Sequence, residues 1–189
     1  MAADNAGLLP PLSKAPWWLP VFLAAVAVRV ALIGAACMGA GITVSELALL
    51  HDGWEYLRQA QALALWHPRS IDGETLRLFP GYPAAIALVS LGQRPEIAGL
   101  AIAILCAAAC GPLTARLAGD GRLAWWMVAL TPSWLLYTSV VMSEGLSVLL
   151  LLVALLMACD RRWLAAGLAA GLGATIRPVA ALVFVPILI

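Results

Sequence analysis

Four stretches of this chain carry almost no charge. Trp17–Ile42 holds only Arg29, Ile97–Leu117 holds only Arg116, and Leu123–Met142 and Leu146–Cys159 hold none. A helix that is apolar all round has no polar face to turn to water, so it belongs inside a large core or across a bilayer. A chain of 189 residues has no core big enough to take four such helices. A bilayer's hydrocarbon needs about 20 apolar residues per crossing, which the first three runs reach and the fourth, Leu146–Cys159, falls short of. Composition agrees: 63% of residues are hydrophobic and 11% charged, against about 45–50% and 25% in soluble domains. The expected fold is all-α, a polytopic bundle of transmembrane helices.

The chain divides into a polar N-terminus over 1–16, a first transmembrane helix over 17–42, a long polar stretch over 45–95, and further transmembrane helices over 97–189. The first apolar run is longer than a signal peptide's h-region of about 7–15 residues, so we read an uncleaved anchor. Trp17 and Trp18 suit an interfacial aromatic belt. Arg29, deep in that span, should face other helices or a wet cavity; we assign it a structural role. Pro132 predicts a kink or break in the third span. Gly167, Gly171 and Gly173 predict a small-residue face for close helix contact. Arg177-Pro178 predicts a broken last helix. The apolar run reaches Ile189, and the expectation is that further helices follow.

The stretch 45–95 gathers most of the polar chemistry. Glu46 to Trp66 predicts one amphipathic helix on the membrane surface, with Leu47, Leu50, Trp54, Leu57, Ala60 and Ala64 on its apolar face and Pro68 ending it. Ala84 to Leu91 predicts a short interfacial or re-entrant helix. Lys14, Arg116, Arg122, Arg161 and Arg162 flank alternate ends of the spans. By the positive-inside rule those ends are cytoplasmic, and the 45–95 stretch and Glu144 lie outside. A net charge of +1 gives no basic field to attract nucleic acid. Cys37, Cys106, Cys110 and Cys159 all sit in apolar runs and read as small buried hydrophobes. His51 and His67 lack a third ligand for a metal.

Asp52 and Glu55, three apart on a helix, share a face just past the first span. A carboxylate at a partly desolvated membrane surface is suited to act as a general base, though an N-capping Asp52 explains the same spacing. Glu144 begins a helix on the same side, where the helix dipole favours an acid. Arg177, beside a helix break, suits phosphate binding, or else helix pairing.

The order of motifs resembles the N-terminal part of the C-type (GT-C) membrane glycosyltransferases, which use polyprenyl-phosphate sugars. Protein O-mannosyltransferases and aminoarabinose transferases are examples. The resemblance rests on Arg29 in the first span, external Asp52 and Tyr56, and Ala60-Gln61-Ala62-Leu63. It continues through Phe79-Pro80-Gly81-Tyr82-Pro83-Ala84-Ala85, Thr131-Pro132, Tyr137 and Glu144-Gly145. It ends with the glycine-rich run from Gly167 to Thr175-Ile176-Arg177-Pro178. It implies sugar transfer from a polyprenyl-phosphate donor to an acceptor on the non-cytoplasmic face, with inversion. Asp52, with Glu55, would be the catalytic carboxylate. Arg58, Tyr56, Tyr82, Glu144 and Arg177 would bind substrate, with Arg177 or Arg58 steadying the leaving phosphate. Many relatives carry adjacent acids at the loop position, whereas here Gly53 follows Asp52. The resemblance implies no fixed cofactor; some members use a divalent metal and others do not. Low lysine with Ala, Leu and Arg bias points to a bacterial source, hence the cytoplasmic (inner) membrane. The alternative is a non-catalytic membrane scaffold, lipid carrier or transporter fragment.

Overall fold

A computed structural model describes residues 18–64, 78–118, 126 and 131–178. The N-terminus to Trp17, the segment 65–77 with His67, Pro68 and Arg69, the Gly119-Asp120-Gly121 turn with Arg122, most of the first half of the expected third span, and the run after Pro178 lie outside the described residues. Among the described residues the protein is all-helical, with eight helices and no strand. They are α1 (Trp18–Ala40), α2 (Val44–Ala48), α3 (Gly53–Ala64) and α4 (Gly81–Ser90), then α5 (Pro95–Leu117), α6 (Pro132–Thr138), α7 (Glu144–Cys159) and α8 (Trp163–Ile176).

Helices α1 and α5 are each long and apolar enough to cross a membrane. At 23 residues and about 1.5 Å per residue, each is roughly 35 Å long, slightly more than a bilayer's hydrocarbon thickness. Helix α1 is followed by Gly41 at φ +65°, a left-handed position that glycine adopts freely. The chain restarts at once through a capping box. Glu46 N–H donates to Thr43 Oγ1 at 3.2 Å, and Thr43 N–H donates to Glu46 Oε2 at 2.6 Å. The Thr43 amide, then the Thr43 hydroxyl, hold the Glu46 carboxyl below its ordinary range.

The helix expected over Glu46 to Trp66 is two helices. Residues 49–52 break it, and His51 takes a left-handed φ of +54°. The reason is packing at Gly53, where an added methyl would strike the Ala48 carbonyl oxygen. The chain folds back on itself closely enough to require glycine. Leu50 and Trp54, assigned to the apolar face, are exposed, whereas Leu47, Tyr56, Leu57 and Ala60 are buried. The buried face of α3 therefore packs against α4 and α5 as part of the protein core.

The third span, expected to run unbroken to Met142 apart from a kink at Pro132, also departs from expectation. Pro132 is the first residue of α6, which ends at Thr138, and bends follow before α7. Proline lacks the N–H that a helix interior needs, and the first turn has no use for it. Of the three glycines expected to form a small-residue face on α8, Gly173 is buried and the other two are not. Gly167 and Gly171 face open space, while Ala166, Ala169, Gly173 and Ile176 are buried. The most extensive helix contact is still between α7 and α8. Helix α8 stops at Arg177, whose backbone is extended, as the following proline requires.

Side-chain contacts define two ends of this body. At one end Arg116, at the foot of α5, approaches Asp160, just past α7, at 3.7 Å. At the other, the start of α5, the start of α7 and the end of α8 meet α3 and α4, and Tyr82 Oη donates to the Gly99 carbonyl at 3.1 Å. Helices α5 and α7 therefore run the same way, and α8 returns.

Glycine substitutions test this packing. At Gly145 an added methyl would lie 2.9 Å from the Ala103 carbonyl oxygen of α5. Gly145→Ala should destabilise by about 1–3 kcal/mol through overpacking. Gly167→Ala, with nothing within 4 Å, should be neutral or stabilising by about 0.5–1 kcal/mol. Thermal unfolding midpoints of the two variants in one detergent check the contrast.

Candidate functional site

The site forms where α3, α4, α7 and α8 converge. Tyr56 lies on the buried face of α3, and its phenol donates to Ser143 Oγ at 3.1 Å. Ser143 is fully buried and directly precedes α7. Arg177 reaches the same serine from the end of α8, its Nε donating to Ser143 Oγ at 3.1 Å. The guanidinium also pairs with Glu144, the first residue of α7, with Nη2 to Oε1 at 2.6 Å. Charged-group hydrogen bonds of this kind are shorter and stronger than neutral ones. The Tyr82 ring meets the Tyr56 ring edge to face, with centroids 5.0 Å apart, a favoured aromatic geometry.

The chain reaches this arrangement through local choices. The proline after Arg177 ends α8 and leaves the guanidinium at the helix terminus. Glu144 takes the first turn of α7, where the dipole favours an acid. Gly81, opening α4, packs so closely against Thr175 and Ile176 of α8 that a methyl there would lie 2.5 Å from Thr175 Oγ1. That contact brings α4, and with it Tyr82, up to the end of α8.

Electrostatics at the centre follow from burial. The Tyr56 phenol is pushed above its ordinary value of about 10, chiefly by burial, and Glu144 and Asp52 push the same way. The Ser143 hydrogen bond and Arg177 oppose the shift. Tyr82 is pushed up still further, again mainly by burial. Both phenols are therefore neutral donors at physiological pH. The raised Tyr56 value makes its stability contribution full below about 10, and that contribution declines as pH rises towards the folded value.

Of the residues singled out from sequence, Tyr56, Tyr82, Glu144 and Arg177 come together. Asp52 stands at the head of α3, exposed, its carbonyl accepting the Glu55 and Tyr56 amides at 3.1 Å each. It lies within electrostatic reach of the Tyr56 phenol. Glu55 is half-buried on the next turn and Arg58 is exposed. Tyr137 is exposed on α6. Among the described residues no three His, Cys, Asp or Glu side chains gather as a metal site would require.

The role of Ser143 and the particular partners of Arg29 escaped the sequence reading. Ser143 was not singled out, yet both Tyr56 and Arg177 donate to it. Arg29, read as structural, is wholly buried and donates from Nε to Thr138 Oγ1 and from Nη1 to the Ala25 carbonyl, both at 2.9 Å. It thereby fixes α6 to α1. The apolar surroundings of Arg29 were legible, but no local signal points to Thr138, which lies 109 residues away. No family model, curated protein or solved structure matches the chain.

Substitutions at the shared oxygen separate its two partners. Tyr56→Phe removes one hydrogen bond and should cost about 1 kcal/mol. Ser143→Ala leaves a buried phenol and a guanidinium short of an acceptor and should cost more, about 2–3 kcal/mol. Chemical unfolding of both variants measures the order, and equal effects would show that Ser143 is not the common partner.

Proposed function

We propose that this protein is a multi-pass membrane glycosyltransferase of the polyprenyl-phosphate-sugar type. The single observation that supports it best is the convergence of Tyr56, Ser143, Glu144 and Arg177, from three separate helices, within electrostatic reach of Asp52. These are groups suited to a phosphate-linked sugar. Arginine offers a planar, permanently charged fork to phosphate oxygens. The Tyr56 phenol adds a neutral donor.

In this reading the carrier phosphate binds at Arg177, and Asp52 orients the acceptor hydroxyl. The hydroxyl oxygen attacks the anomeric carbon and its proton passes to the Asp52 carboxylate. The bond between that carbon and the phosphate oxygen breaks, and its electron pair leaves on the carrier phosphate, whose growing charge Arg177 stabilises. Attack from the face opposite the leaving group inverts the anomeric centre. Glu144 holds Arg177 in place, and Tyr82 braces Tyr56.

The site would face the non-cytoplasmic side of a bacterial inner membrane. What supports this is the placement of Arg116, Asp160 and the neighbouring Arg161 and Arg162 at the opposite end of the helices, as the positive-inside rule would have them. The two long apolar helices fit membrane insertion.

Transfer from a polyprenyl-phosphate hexose, measured with the chain in vesicles, tests the assignment. Asp52→Asn should abolish transfer while leaving donor binding intact. Arg177→Gln should raise the KM for donor at least about ten-fold, the scale of one charged hydrogen bond. Wild-type rates in Asp52→Asn would remove the proposed role.

A further inference from the structure

Between α1, α2 and α6 lies an apolar cleft of about 740 Å³. Leu32, Ile33 and Ala36 of α1 form one wall, Leu47 of α2 the second, and Leu136 and Val140 the third. This volume is within the range of small-molecule sites. Its rim is apolar and open: Leu32, Leu50 and Leu136 are all exposed, Leu136 by 70%. An occupant would enter from hydrocarbon.

One group in the cleft lacks a partner. Ser139 is 8% exposed, lines the cleft, and its Oγ makes no hydrogen bond. A buried hydroxyl without a partner costs about 1–3 kcal/mol, and a ligand's polar atom would relieve that cost. The remaining polar lining is His51, Ser133 and Tyr137, with no arginine or lysine. The Arg29 guanidinium, with Nε on Thr138, Nη1 on the Ala25 carbonyl and Nη2 unpartnered, is wholly buried and is not part of the cleft's lining. A phosphate head would find no counter-charge here, whereas a hydroxyl-bearing, uncharged head would find hydrogen-bonding partners. His51, which lines the cleft, directly precedes Asp52 in sequence.

We propose that this cleft binds the hydrocarbon chain of an uncharged, hydroxyl-headed single-chain lipid, and that this lipid is the sugar acceptor. The second half rests on the transferase reading above. The lipid's hydroxyl is then the attacking oxygen of that reaction, presented beside Asp52 from the bilayer. The donor phosphate stays with Arg177, which is not among the cleft's lining residues, so charged and uncharged substrates meet different residues.

The test uses the full chain in phosphatidylglycerol vesicles with monoolein carrying a photoreactive group in its acyl chain. Oleyl phosphate with the same group serves as the comparison. Monoolein adducts should map to 32–36 and 133–140. Ala36→Trp, which fills the cleft from an exposed position, should abolish them. Ser139→Ala should weaken labelling about five-fold, the loss of one hydrogen bond, with the helical circular dichroism of both variants unchanged. Equal labelling by oleyl phosphate, or labelling indifferent to both substitutions, overturns the site. With polyprenyl-phosphate hexose added, the sugar should appear on monoolein. Asp52-dependent transfer only to water-soluble acceptors overturns the acceptor role and leaves the transferase reading standing. Cleft labelling without transfer to anything overturns the transferase reading and the acceptor role with it, and retains lipid binding alone.

Discussion

The oxygen of Ser143 is the point on which the described structure turns. It is fully buried, and it accepts from a phenol 87 residues earlier and a guanidinium 34 residues later. In apolar surroundings each of those donors would be costly to leave unpaired. Partnering them fixes three helices relative to one another at one level of the body: α3 through Tyr56, α7 through Ser143 itself, and α8 through Arg177. Glu144 adds the charge that holds the guanidinium, and its second oxygen is buried without a partner. The fork of Arg177 is thus held from two directions while its side chain keeps 41% exposure, positioned yet accessible.

Polar contacts elsewhere follow the same logic. Arg29 in an apolar helix is costly unless its donors find acceptors; Thr138 takes Nε and the Ala25 carbonyl takes Nη1, while Nη2 is buried without a partner. That bond ties α6 to α1, and those two helices then wall the apolar cleft with α2. Close backbone approaches complete the frame: Gly53 against Ala48, Gly81 against α8 and Gly145 against α5. The α2–α3 corner contributes His51 to the cleft and leads into the helix that carries Tyr56 of the polar cluster. In the proposed reading a charged carrier at the cluster and a neutral lipid in the cleft would both approach that corner.

Helix type and approximate extent were legible because uninterrupted apolar runs leave a chain few alternatives. The limits of α1, α5 and α7 fall within a few residues of those read from hydropathy. The break at Arg177-Pro178 was legible for a stereochemical reason, since proline excludes the helix conformation from the residue before it. The split between α2 and α3 was not. Period-three-and-four spacing runs straight through Leu50 and Trp54, and only the tertiary contact at Gly53 shows why the helix turns there. The same applies to α8, where alternating glycine and alanine fit either register and the partner helix decides. Tyr56, Tyr82, Glu144 and Arg177 carried chemical signals of their own. Ser143 carried none, because a serine before a helix is commonplace and its importance arises only from what folds onto it.

The proposed transfer requires the Ser143 cluster and the Arg116–Asp160 end to lie on opposite sides of a bilayer. Single cysteines at positions 52 and 161, in a chain whose own four cysteines are replaced, can be tested with a membrane-impermeant thiol reagent on intact cells. Position 52 should react from outside and position 161 only after permeabilisation. Both positions reacting from the same side would contradict that arrangement.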